Sequence, residues 1–115
     1  MKVCCFAPIF TAILAVAYGQ RGGLMCGFCI TIVTTTQESF GASIANTTDV
    51  QFLRYFRREC RLDALKSAMM AGVCEYMVSN HPLVLFRDLR SGSAPADTCA
   101  DCGVCPTGTS PSAFH

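Results

Sequence analysis

The chain of 115 residues holds at most one small domain, and with 51% hydrophobic and only 15% charged residues it is not a disordered polymer. A formal net charge of +1 argues against a polybasic nucleic-acid binder. Nine cysteines and no tryptophan point instead to a compact, cysteine-stapled domain.

Residues 1–19 read as a secretory signal peptide. Lys2 supplies the positive start, residues 3–18 are uncharged and mostly apolar, and Ala17 and Gly19 place small residues at a cut after Gly19. The run is short for a membrane span and Pro8 interrupts it. Removing these 19 residues from 115 leaves 96, with eight Lys and Arg facing eight Asp and Glu. The expected destination is the extracellular space or the lysosomal lumen, where disulfides persist. Secretion also gives meaning to Asn46-Thr47-Thr48, an N-glycosylation sequon with Asn46 as acceptor.

Within residues 24–44, Cys26, Cys29, Ile30, Val33, Phe40 and Ile44 recur at helical spacing, with Thr34, Thr35 and Glu38 off that stripe. Residues 31–36 are largely β-branched and locally favour a strand, so helix and strand both stand here. The next segment is clearer: Thr48 or Asp49 caps a helix whose one face carries Val50, Leu53, Phe56 and Cys60. Arg54, Arg58 and Arg61 lie on another face, with Arg57 beside them. A third helix is expected to start at Asp63 as cap, with Leu65, Met69, Val73 and then Tyr76 or Met77 on its stripe. Asn80-His81-Pro82 must break it. Residues 83–89 add two apolar turns, Ser91-Gly92-Ser93 forms a loop, and Pro95 opens a short last helix bearing Cys99, Cys102 and Cys105. Residues 106–115, rich in Ser, Thr, Pro and Gly, read as a flexible tail. The expectation is an all-α, disulfide-stapled domain of four to five short amphipathic helices over residues 20–105, its core within 24–105.

Seven cysteines follow the signal: Cys26, Cys29, Cys60, Cys74, Cys99, Cys102 and Cys105. One is left over, and spacing does not choose among the pairings. Cys26-Gly27-Phe28-Cys29 opens the domain; Cys60 follows after 30 residues, Cys74 after 13 and Cys99 after 24, and five residues separate Cys99 from Cys105. This framework resembles that of the saposin B-type family, in particular single-domain members such as the amoebapores and caenopores. The likeness covers residues 24–105. It implies pairing of Cys26 with Cys105, Cys29 with Cys99 and Cys60 with Cys74. The gaps of 30 and 13 are longer than the family pattern, which implies extended connections around the second helix. Cys102 is an addition to that pattern. On a helix it lies closer in angle to Cys99 and Cys105 than those two lie to each other, so a swap of partner, a free thiol and an intermolecular bridge giving a homodimer or higher oligomer all stay open.

The resemblance implies action on membrane lipids, through a helical clasp whose apolar interior closes as a core or opens onto acyl chains. An apolar excess among residues 62–86, several of them adaptable methionines, fits such a clasp, although by spacing alone each reads as core. Arg54, Arg57, Arg58 and Arg61 are the headgroup candidates, since guanidinium groups hold phosphates bidentately; a plain solvated face, partly neutralised by Glu59 and Asp63, is the alternative. His81 and His115 would charge between neutral and mildly acid pH. Within this class stand a membrane-disrupting or pore-forming antimicrobial effector and a non-lytic carrier presenting lipid to a hydrolase. A third reading, disulfide exchange at the Cys26 and Cys29 CxxC, lacks room for the strand that precedes such a site. Metal ligation by Cys99, Cys102 and Cys105 conflicts with an oxidising compartment. No nucleophile elbow is present, so no catalytic chemistry, metal or cofactor is expected.

Overall fold

The computed structural model describes residues 23–107. The expected signal peptide, and the tail from residue 108 to His115, lie outside them. Among the described residues the architecture is all-α: α1 (Gly23–Phe40), a 3₁₀ turn (Gly41–Asn46), α2 (Asp49–Ala64), α3 (Ala68–Asn80), α4 (Pro82–Ser91) and α5 (Pro95–Asp101).

The threonine-rich stretch is helical. Thr31 and Thr36 donate their hydroxyls to the carbonyls of Gly27 and Ile32, four residues back, at 3.1 and 2.8 Å. Tertiary packing then overrides the local strand preference, because Cys26, Cys29, Ile32, Val33 and Thr36 are all buried on one side of α1. The stripe is therefore shifted from the expected one: Ile32 is buried and Ile30 only half-buried. Gly41, at φ +56°, ends α1 in the left-handed region that suits glycine.

Thr48 caps α2 in a full capping box: its hydroxyl accepts from the Gln51 N–H at 3.2 Å, and Gln51 Oε1 accepts from the Thr48 N–H at 2.8 Å. Thr48→Ala is expected to cost about 1 kcal/mol of stability, measured as a shift in denaturant midpoint at unchanged m-value.

The inward face of α2 carries Phe52, Phe56, Cys60 and Asp63, which corrects the expected face. Val50 is 60% exposed and Leu53 half-buried. The second helix also runs past Asp63 to Ala64, so Asp63 is no cap. The N–H groups of Lys66 and Ser67 close onto the Asp63 carbonyl, and Ser67 caps α3 by accepting from the Met70 N–H at 3.2 Å. With that start, Val73, Cys74 and Met77 turn inward, while Leu65 and Met69 point to solvent. The break at His81 is where the sequence places it, and Pro82 takes the first position of α4.

α2 and α3 form a helical hairpin tied by the Cys60 and Cys74 disulfide. α1 packs on α5 and on α3, and α4 packs on α5, on α3 and on the 3₁₀ turn. Two further disulfides join Cys26 to Cys105 and Cys29 to Cys99, fastening the start of α1 to the end of the domain. These are the three pairs implied by the saposin resemblance.

The core has two halves. At one end lie the terminal cysteines and Met77, whose Sδ lies 3.1 Å from Cys29 Sγ; a disulfide sulfur has no hydrogen to give, so this is a packing contact. At the other is a closed circuit of aromatic rings. Phe40 meets Phe52 and Tyr55, Phe52 and Phe56 both stack on Phe86, and Tyr55 meets Phe56, with centroids 5.0–6.2 Å apart. Arg90 locks this end: its Nη1 donates to the Thr47 carbonyl at 3.0 Å and pairs with Asp49 Oδ1 at 2.8 Å, and its guanidinium lies over Phe52.

Candidate arginine-lined membrane surface

Because Phe52, Phe56 and Cys60 fix the inner face of α2, residues half a turn away must face solvent. All four candidate arginines are exposed there, but they do not form one cluster. Arg54, Arg57 and Arg61 line a shallow groove of about 380 Å³ together with Val50 and Leu53. Arg58 points to the neighbouring side, 3.5 Å from Glu59 and over the Tyr55 ring. It lines a second groove of about 350 Å³ with Phe40, Tyr55, Gln51 and Glu59, and Arg54 stands on the ridge between the two.

The first groove holds three guanidinium groups, two aliphatic side chains and no carboxylate. Leu65, 82% exposed, extends the helix line beyond Arg61. Such a face presents cations at the level of an anionic headgroup and aliphatic carbons to the layer beneath. The spacing puts Val50 and Leu53 on one face with Phe56 and Cys60; the larger rings of Phe52 and Phe56 take the inner face instead, which turns Val50 to solvent and leaves Leu53 half-buried at the edge of the core.

Of the apolar excess among residues 62–86, Val73, Met77, Leu85 and Phe86 are buried as core, whereas Leu62, Leu65, Met69 and Leu83 are exposed. Among the described residues no helix is long and apolar enough to cross a membrane.

Cys26 and Cys29 are bonded to different partners and buried, so the CxxC is not a disulfide within itself. Cys99 and Cys105 are likewise in disulfides, and Cys102 between them is a free thiol with no exposed surface. Burial, then the charges of Asp88 and Asp101, push that thiol up to about 12. A bridge between chains through Cys102 would require its surroundings to open first. No group of three or more His, Cys, Asp and Glu is placed to hold a metal among the described residues.

Two carboxyl groups sit in unusual surroundings. Burial raises Asp63 above the ordinary aspartate range, opposed by Lys66 and assisted by Glu59. Burial also raises Asp88, beside Asp101 and Arg87. His81 Nε2 lies 3.3 Å from the Tyr76 hydroxyl at the break between α3 and α4. Asn46 ends the 3₁₀ turn in an exposed position, two residues before the α2 cap.

The three disulfides are compatible with an oxidising extracellular or lysosomal compartment. Comparison with protein-family models, with curated proteins and with solved structures gives no match to this chain.

Proposed function

We propose that this chain is a secreted saposin-like protein that binds and disrupts anionic membranes, without chemistry of its own. The observation that carries this reading is the outward face of α2, where Arg54, Arg57 and Arg61 share one groove with Val50 and Leu53 and no carboxylate intervenes. The arginines bind lipid phosphates, and the aliphatic side chains, with Leu65, enter the headgroup boundary. The cysteine framework and the signal-like first 19 residues support secretion, and the sequon at Asn46 would then carry a glycan.

The closed, stapled core favours a second reading, a non-lytic carrier that takes up single lipids by parting its helices. The two are separated by dye release from anionic and zwitterionic vesicles with the oxidised protein, at about pH 7 and about pH 5. Release from anionic vesicles at low protein concentration is the expected result. Binding without release at either pH selects the carrier, and no binding at all overturns the membrane reading.

Replacing Arg54, Arg57 and Arg61 by glutamine is expected to weaken vesicle binding on the order of a hundredfold, from about 1 kcal/mol per basic side chain at an anionic surface. Arg58→Gln is expected to cost less than any one of the three, since Arg58 already neighbours Glu59. Vesicle co-sedimentation at two salt concentrations checks both, and the triple variant should lose most of the salt dependence.

A further inference from the structure

Two carboxyl groups meet one guanidinium where α4 packs on α5. Arg87 Nη2 lies 3.0 Å from Asp88 Oδ1 and 3.7 Å from Asp101 Oδ2. Asp88 is only 4% exposed, and its Oδ2 has no hydrogen-bond partner. The Arg87 side chain is mostly in water, so its charge compensates a buried carboxylate weakly.

The other groups around this joint are accounted for. Cys102, which caps the C-terminal end of α5 rather than lying within that helix as the sequence leads one to expect, stays neutral up to about 12. Asp97 of α5 is exposed, and Arg90 of α4 is turned to Asp49 and the Thr47 carbonyl. His81, at the head of α4, is turned to Tyr76. The 3₁₀ turn has no ionisable side chain, and Glu75, on α3, is exposed.

An ionised Asp88 therefore holds a buried oxygen without a donor next to a second carboxylate. A proton on the pair corrects both faults, because it supplies the missing hydrogen and removes the like-charge contact. We propose that Asp88 and Asp101 form a proton-operated latch that draws α4 onto α5 in acid and loosens that joint as the pH rises to neutrality.

The sign follows from linkage. Asp88 releases its proton at higher pH in the folded chain than in the unfolded one, as burial dictates. Its contribution to stability is thus fully present below the ordinary aspartate range and is lost as pH rises through the raised folded value. The latch acts on α4 in particular. α5 is fastened to α1 through Cys99, whereas α4 is bounded by the break at His81 and by Gly92 at φ +75°. The proposal stands apart from the membrane reading, since it concerns the free protein.

The test is carboxyl-carbon NMR titration of Asp88 and Asp101, with amide hydrogen exchange in α4 between about pH 4.5 and about pH 7.5, corrected for intrinsic chemistry. Asp88 is expected to titrate above the ordinary aspartate range, and α4 protection to fall several-fold as the pH rises. Asp88→Asn is expected to abolish that fall, Asp101→Asn to reduce it, and Asp63→Asn to leave it in place. Titration of Asp88 at or below the ordinary range, or an unchanged slope in Asp88→Asn, overturns the latch. If Asp88→Asn does not fold, the wild-type titration alone decides.

Discussion

Phe86→Ala is expected to lower the unfolding free energy by about 3–5 kcal/mol, a large share of a small domain's stability. Phe86 is buried on α4, and its ring stacks 5.1 Å from Phe52 and 6.2 Å from Phe56. It is the ring that α4 contributes to the aromatic circuit, whose other rings come from α1 and α2. The staples hold the surrounding helices in place, so the walls of the new cavity have little freedom to collapse, which puts the cost at the upper end of that range. Phe86→Leu should recover more than half of the loss. Denaturant unfolding of the oxidised variants measures both. A cost below about 1 kcal/mol for the alanine variant would show that the circuit is not the central element of the core.

Removing both terminal disulfides, with alanine at Cys26, Cys29, Cys99 and Cys105, is expected to cost about 7 kcal/mol in the chain-entropy model, about 4–5 for the long closure and about 2.5 for the second bridge. The two bridges span 79 and 70 residues, but they are nested side by side. With either one intact, the second closes only the short stretches 26–29 and 99–105. Each single removal should therefore cost about 2.5 kcal/mol, less than half of the combined loss. The Cys60 and Cys74 bridge spans 14 residues and has no such neighbour, so its removal alone should cost about 3 kcal/mol. Denaturant midpoints of the three bridge deletions and the quadruple variant test this ordering. Additive costs for the two terminal bridges would refute the nested account.

The sequence carries punctuation more reliably than facing. Thr48, Pro82, Gly92 and Pro95 each mark a helix boundary through backbone chemistry that does not depend on the rest of the fold. The inner face of α2 is different in kind. Val50 with Leu53 and Phe52 with Phe56 are both acceptable helical stripes, and only the rings arriving from Phe40 and Phe86 decide between them. Asp63 is a good cap by type, but the chain has Ser67 four residues later, and the longer α2 lets Cys60 reach Cys74 across the hairpin. The strand-like composition of residues 31–36 was outweighed by long-range contacts to which a local window is blind. For the candidate site, the arginines could be named from sequence, but their division into a groove of three and a separate Arg58 needed the packed helix.

The free thiol of Cys102 has a practical consequence. It has no exposed surface in the packed domain and no thiolate to offer at neutral pH. An alkylating reagent therefore modifies it only in molecules whose helices have come apart around it, while the six bridged sulfurs stay silent. In protein freed of residues 1–19, which hold Cys4 and Cys5, the domain thus carries its own stopwatch: the rate at which a reagent consumes the Cys102 sulfur counts opening events, in solution or on a vesicle, without any label being introduced.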